Sequence, residues 1–311
     1  MNILFTLLAI AIGGGIWLSI LRHYDRVEPE SIRHLLQVGL VGGLASVVVA
    51  ALLNETARWQ LGLTMDLFTE VPERLGALAI FCLLVGVFEE TSKAVATVYT
   101  TRRMGDLDEP VDAMIYAMTV GLGFAVFENV LYARQFGTDV LLARFLWPVP
   151  AHMAYSALWG YGLAKARFVF PERNRAVVMA GSVALAALIH AGANFLLFLR
   201  IPLAAWGSLL VLAFLAVLAH RRMRQLVAES PYLEPGECPD CRYFNPPNAP
   251  ECTECGYPLG DTEMFGTCPC GLKRIPQNAE RCPFCAVELN EVAGRGEAEG
   301  RGELSGRGGA L

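Results

Sequence analysis

Charged side chains are scarce in this sequence. They make up 18% of the 311 residues, whereas a soluble globular domain carries roughly a quarter. The deficit lies before residue 221, in a chain that is 54% hydrophobic, which excludes an ordinary soluble domain there and favours helices that cross a membrane. The net charge of −5 also excludes the basic surface that phosphate backbones require, so we expect no nucleic-acid partner.

The N-terminal segment has no basic residue ahead of its apolar run. The segment reads MNILFTLLAIAIGGGIWLSIL, and Arg22 and Arg26 follow it. A cleaved secretory signal has the opposite order, with its positive charge first. The segment therefore predicts a retained first span.

Seven segments are apolar over the roughly 20 residues that a membrane-spanning helix needs. They are residues 3–21, 35–53, 75–98, 112–133, 140–165, 176–199 and 201–220. The last two are separated only around Arg200 and Pro202. The pattern predicts an all-α fold, a polytopic transmembrane helix bundle of about seven spans within residues 1–224.

Arginine and lysine are concentrated in alternate connections between these spans. The richer connections follow spans one, three, five and seven and contain Arg22, Arg26, Arg33, Arg102, Arg103, Lys165, Arg167, Arg173, Arg175, Arg221, Arg222 and Arg224. Because cytoplasmic loops carry the positive excess, we expect the N-terminus outside and everything after residue 220 in the cytoplasm.

Eight of the nine cysteines fall in the tail, in four closely spaced pairs. They are Cys238, Cys241, Cys252, Cys255, Cys268, Cys270, Cys282 and Cys285. Two such pairs close one tetrahedral zinc site, so we expect two structural Zn²⁺ ions in tandem zinc ribbons over residues 237–289, after a linker at 225–236. A disulfide framework is the alternative, and a cytoplasmic tail disfavours it. Residues 290–311 are rich in Gly, Glu and Arg, which predicts disorder.

Ionisable and amide side chains interrupt four successive spans at similar depth. They are Glu89, Glu90, Glu128, His152, His190 and Asn194. Such residues cost roughly 2.5–3.5 kcal/mol each on insertion scales, so they indicate function by default. Their shared depth predicts one polar cavity inside the bundle.

Helical spacing divides these residues between tasks. Glu89 and Glu90 project about 100° apart, so one faces the cavity and the other is neutralised elsewhere. Lys93 lies within reach of either carboxylate, whereas His190 and Asn194 share one face of their helix.

Small residues and prolines predict how the helices around this cavity are built. Gly121, Gly123 and Gly181 indicate close helix approach. Pro148 and Pro150 indicate a break in span five about one turn before His152.

A buried carboxylate, an imidazole and an amide beside water suit hydrolysis of a carbonyl compound. In one mechanism Glu89 is the general base, while His190 and Asn194 stabilise the oxyanion. In the other, the glutamate and histidines bind catalytic Zn²⁺. The sequence contains no HExxH motif, and Asn194 suits an oxyanion better than a metal, so the metal-free mechanism is preferred here.

The same side chains also suit a proton-coupled transporter or a non-catalytic receptor, although no inverted repeat supports transport.

Four motifs, in this order, resemble the PrsW family of intramembrane proteases, which is related to the CAAX prenyl proteases and CPBP proteins. They are EETSK at 89–93, PVDAMIYAMTVGLGFAVFEN at 110–129, PAHM around His152 and HAGAN at 190–194. The resemblance covers about residues 15–200 and implies that Glu89, Glu90, Glu128, His152 and His190 are the family's functional residues. Asn194 matches the asparagine of the CAAX relatives, whose second motif ends in histidine where this chain has Glu128, as in PrsW.

The resemblance also implies the reaction and its substrate. It implies an endopeptidase that cleaves a membrane-anchored protein, such as an anti-sigma factor or another small single-span protein, at its external face or juxtamembrane segment. The zinc ribbons lie outside the resemblance, and on their own they suggest a cytoplasmic protein as a further partner.

Overall fold

The computed structural model describes residues 3–63, 74–104, 107–169, 172–234, 236–246 and 249–259, and the pairs 265–266, 275–276 and 287–288. The helices are α1 (Ile3–Arg22), α2 (Ile32–Gln37), a π-helical turn (Val38–Gly42), α3 (Gly43–Gln60), α4 (Leu75–Met104), α5 (Pro110–Phe136), α6 (Val140–Leu146), α7 (Pro148–Phe168), α8 (Glu172–Phe198) and α9 (Pro202–Ala228). Two short strands, β1 (Phe265–Gly266) and β2 (Ile275–Pro276), pair antiparallel in the tail.

The helices confirm the predicted all-helical membrane bundle. Five are long and apolar enough to cross a bilayer: Ile32–Gln60, Leu75–Arg102, Pro110–Phe136, Asn174–Phe198 and Pro202–Ala228. The other two predicted spans coincide with α1 and with α6 and α7 together. The count of seven crossings stays a prediction, because α1 has only a shorter apolar stretch, Thr6–Arg22.

Helix α5 forms the centre of the bundle, and its glycines set how closely the neighbouring helices approach. A Cβ on Gly123 would overlap the carbonyl of Gly39 in the π-helical turn, and one on Gly121 would lie 2.9 Å from the carbonyl oxygen of His152. A Cβ on Gly181 would have no atom of the described residues within 4 Å. The predicted packing role is therefore wrong for Gly181, because no described helix approaches that face of α8.

Two breaks between helices fall close to where the prolines predict them. The chain breaks at Trp147 (φ −124°, ψ −70°), and Pro148 becomes the first residue of α7, where its fixed φ suits a helix start. The break between α8 and α9 has Arg200 at φ 55°. His152 therefore lies in the second turn of α7, a helix that starts anew at Pro148.

The described part of the tail packs against one end of the bundle. Lys165 Nζ donates to Glu229 Oε2 at 2.6 Å, and Arg26 NH1 donates to the carbonyl of Asp240 at 2.8 Å. Helix α9 continues to Ala228, past the predicted end of the membrane domain at residue 224. The remaining domain boundaries stay predictions.

Candidate active site and tail metal site

Side chains from α4, α5, α7 and α8 meet at one cavity of about 530 Å³. Among the residues that line it are Glu89, Glu128, His152, His190 and Asn194. Glu90, the remaining predicted catalytic residue, is fully buried and lies behind this lining. The two adjacent glutamates therefore have different surroundings, as their angular separation on α4 requires.

Glu90 is a fully satisfied carboxylate. Its Oε1 accepts from Lys93 Nζ at 2.5 Å and faces His190 Nδ1 at 2.9 Å. Its Oε2 accepts from the Trp159 indole N–H at 3.1 Å. Because a carboxylate only accepts, the proton of His190 is on Nδ1 and its Nε2 has a free lone pair. The ring of Tyr155 stacks on His190 with the centroids 4.6 Å apart, which fixes the plane of the imidazole.

His152 is held between an acceptor and a donor. Its Nε2 lies 3.2 Å from Glu128 Oε2, and its Nδ1 lies 3.1 Å from Lys93 Nζ. Since Glu128 accepts and the lysine ammonium donates, Nε2 carries the proton and Nδ1 has the lone pair. Glu128 is in turn paired with Arg144.

Glu89 has one oxygen fixed and one oxygen without a partner. Its Oε1 accepts from Asn54 Nδ2 at 3.1 Å. Its Oε2 is buried without a hydrogen-bond partner in the described part of the chain, 3.8 Å from His190 Nε2 and 3.9 Å from His152 Nδ1. Three acceptor atoms thus converge on one point.

These three atoms fit a metal ion. Ligand atoms of Glu89, His152 and His190 all lie within 4.8 Å of one another, and two histidines with one glutamate are a known catalytic zinc set. Each ligand is oriented by a further side chain, respectively Asn54, Glu128 and Glu90, as outer partners orient the ligands of metal sites. A cation at His152 Nδ1 requires Lys93 to release that nitrogen, and Lys93 keeps Glu90 as its partner.

Three supporting residues were missed by sequence reasoning. Asn54 is the first polar residue after the predicted span 35–53, so it resembled an ordinary span end and gave no signal of a role. Arg144 falls inside the predicted span 140–165 and was given no role there, yet its Nε donates to Asn129 Oδ1 at 2.6 Å and its guanidinium also pairs with Glu128. The indole N–H of Trp159 needed a buried acceptor, but nothing in the sequence identified Glu90 as that acceptor.

The first cysteine set of the tail forms a compact cluster. The Sγ atoms of Cys238 and Cys255 are 3.7 Å apart, and those of Cys241 and Cys252 are 3.5 Å apart. Four sulfurs bound to zinc at about 2.3 Å lie roughly 3.8 Å from one another, so this set fits one zinc ion. The second set, which comprises Cys268, Cys270, Cys282 and Cys285, lies outside the described residues.

Comparison with known proteins gives a family model and several relatives. The model described as "PrsW family intramembrane metalloprotease" matches residues 30–220. Protease PrsW of Clostridioides difficile (strain 630) is 26% identical over 202 residues, which cover 64% of this chain and 80% of that protein. Protease PrsW of Geobacillus kaustophilus (strain HTA426) is 30% identical over 145 residues, 46% of this chain and 62% of that protein.

A third relative and the solved structures complete the comparison. Protease PrsW of Bacillus subtilis (strain 168) is 30% identical over 122 residues, 39% of this chain and 56% of that protein. The chain thus spans less than two thirds of two of these three relatives. No solved structure matches it.

Proposed function

The chain belongs to the PrsW family of intramembrane proteases, and from that membership we propose that it hydrolyses a peptide bond of a membrane-anchored protein at the cavity between α4, α5, α7 and α8. The family and its relatives support a peptidase. The observation that carries the assignment to this cavity is the unpartnered Glu89 Oε2, which faces lone pairs of His152 and His190. Glu89 Oε2 and the free lone pair of His190 Nε2 require a cation or a proton-donating water between them, and His152 Nδ1 joins them once Lys93 releases it.

We propose that Glu89, His152 and His190 bind a catalytic zinc ion. Such an ion would make water nucleophilic near neutral pH and polarise the scissile carbonyl. Glu90 keeps His190 in the tautomer whose Nε2 is free, and Glu128 does the same for Nδ1 of His152. Asn194 lines the same cavity, and we propose that its amide binds the peptide.

The metal-free mechanism remains the second candidate, and one contact favours it. Lys93 Nζ lies 3.1 Å from His152 Nδ1, so one of the three converging acceptors already accepts a hydrogen bond from a lysine ammonium. In that mechanism Glu89 takes the proton of the attacking water. Both mechanisms need Glu89, but only the first needs a metal.

The position of the cavity supports cleavage near the outer face of the bilayer. Arg58, Gln135 and Arg200 also line it, and they lie at the ends of α3, α5 and α8. The tail packs at the opposite end, where Ser230 bonds Glu109 just before α5 begins. With the predicted cytoplasmic tail, the cavity lies toward the outside. An anti-sigma-factor-like substrate and a cytoplasmic partner of the ribbons stay predictions.

Membrane proteomics tests the proposed activity. Cells that lack this protein are complemented with the wild type, with Glu89→Gln, or with the control Asp139→Asn, which removes an exposed carboxylate. We expect an uncleaved membrane protein to accumulate with Glu89→Gln and not with the control. If no membrane protein differs in length between wild type and Glu89→Gln at equal expression, the proposed protease activity at this cavity is refuted.

A further inference from the structure

A second group of buried carboxyls lies at the tail-side end of the bundle. Asp25 follows α1, Glu109 immediately precedes α5, and Asp112 lies in the first turn of α5. One carboxylate oxygen from each lies within 4.8 Å of the others. The three residues are 3%, 0% and 0% exposed, which is unusual for acidic residues at the end of a helical bundle.

Each of these carboxyls has one engaged oxygen and one unpartnered oxygen. Asp25 Oδ2 accepts from the Glu30 amide at 2.6 Å, Asp112 Oδ2 from the Glu109 amide at 2.8 Å, and Glu109 Oε2 from the Ser230 hydroxyl. Asp25 Oδ1, Glu109 Oε1 and Asp112 Oδ1 are buried and have no hydrogen-bond partner among the described residues. A buried polar atom without a partner carries its full desolvation cost.

The electrostatic surroundings make this arrangement more costly. Burial, together with the neighbouring carboxyls of Asp25, Asp108 and Glu28, raises the pKa of Glu109 to about 8, although the bond from Ser230 lowers it. Burial likewise raises the pKa of Asp25 to about 6. Carboxylates packed together in this way are stabilised when a cation lies between them.

We propose that Asp25, Glu109 and Asp112 bind a hard divalent cation, for which Ca²⁺ is the probe. The donor set contains only carboxylate oxygens, which suit Ca²⁺ and Mg²⁺ and not the sulfur- and nitrogen-rich sites that zinc prefers. Ca²⁺ accepts irregular geometry and six to eight oxygen ligands, so water completes its coordination beside the three carboxylates. This site is separate from the cavity, which no residue of the set lines.

The cation would join three separate segments of the chain. Asp25 belongs to the connection between α1 and α2, and Glu109 to the connection between α4 and α5. Ser230, which donates to Glu109, begins the segment that leads to the first cysteine set. Tyr232 of the same segment donates to Asp108 Oδ2 at 2.6 Å. Binding therefore fixes the start of the tail to the bundle.

Calorimetric titration of the full-length protein with Ca²⁺ in detergent tests the site. Asp25→Asn and Asp112→Asn each remove one ligand, and Asp139→Asn is the control with an exposed carboxylate away from the tail. We expect Ca²⁺ to bind the wild type and the control equally, and each ligand variant at least about tenfold more weakly, because ligand charge sets Ca²⁺ affinity. Tb³⁺ emission excited through tyrosine should follow the same order, because Tyr232 lies beside the site.

Hydrogen exchange of the 229–234 segment supplies a readout independent of affinity. We expect Ca²⁺ to slow exchange there in the wild type and in the control, and not in Asp112→Asn. Absence of Ca²⁺, Mg²⁺ and Tb³⁺ binding at millimolar concentrations would overturn the proposal. Binding that both ligand variants retain unchanged would also overturn it, by locating the cation elsewhere. If Asp25→Asn and Asp112→Asn slow hydrogen exchange of the 229–234 segment in the absence of any cation, the carboxyls hold protons instead and the proposal fails.

Discussion

Replacing Glu90 by glutamine is expected to destabilise the bundle, whereas the same change at Glu89 is not. All three partners of Glu90 are donors: Lys93 at 2.5 Å and Trp159 at 3.1 Å, and Nδ1–H of His190 at 2.9 Å. Whichever way the glutamine amide turns, its NH₂ group faces a donor. Breaking a buried ion pair costs about 3–5 kcal/mol, a large share of a typical free energy of unfolding of about 5–15 kcal/mol.

Glu89→Gln presents the opposite situation. Its amide oxygen keeps the bond from Asn54, and its NH₂ group faces the lone pairs of His152 and His190, which are acceptors. We therefore expect its free energy of unfolding to stay within about 1 kcal/mol of the wild type, while cleavage is lost. Each variant replaces one glutamate of α4 by the neutral amide glutamine, and the two positions are adjacent. Each variant is therefore the control of the other.

Unfolding in mixed micelles by increasing SDS, after removal of bound metal from every sample, measures the difference. Lys93→Met added to Glu90→Gln should recover most of the lost stability, because it removes the unpaired ammonium. If Glu90→Gln unfolds at the wild-type SDS concentration and Glu89→Gln at a much lower one, the roles assigned to the two glutamates are reversed and the reasoning is refuted.

Two further predictions follow from the packing and from the ion pair. Gly123→Ala should lower the free energy of unfolding by about 1–3 kcal/mol, because its Cβ meets the carbonyl of Gly39. Gly181→Ala, whose Cβ no described residue approaches within 4 Å, should leave the free energy of unfolding unchanged or raise it by about 0.5–1 kcal/mol, and equal SDS midpoints for the two variants would contradict this. Arg144→Gln should lower cleavage by about 10–100-fold, because Glu128 then loses its ion pair and holds His152 less firmly; full activity of Arg144→Gln, or an equal loss in the exposed control Arg134→Gln, would refute that role.

The parts of the candidate site that follow helical geometry could be predicted from the sequence. Depth along the spans predicted one cavity, and the structure places Glu89, Glu128, His152 and His190 around it. The angle between Glu89 and Glu90 predicted different tasks for them. Both inferences depend only on rise and rotation per residue, which are the same in every helix.

The supporting residues depend on how the helices are placed, and the sequence does not contain that information in local form. Asn54 reaches Glu89 because α3 packs against α4, and the close approach of Gly43 to Gly123 places the start of α3 against α5. Arg144 turns inward from α6, a short helix that precedes Pro148, and nothing in the apolar pattern of the predicted span 140–165 indicates that it meets Glu128. The cluster of Asp25, Glu109 and Asp112 likewise forms only where the α1–α2 connection meets the start of α5.

Zinc analysis of the full-length protein tests the central claim most directly. Wild type and a His152→Ala/His190→Ala variant are purified identically, and the tail cysteines, unchanged in both, serve as an internal reference. If Glu89, His152 and His190 bind zinc, the wild type should contain about one zinc per chain more than the variant, and its zinc absorption spectrum should show added nitrogen and oxygen scattering beside that from sulfur. Equal zinc content in the two proteins, with cleavage present only in the wild type, would contradict the zinc centre and establish the metal-free mechanism.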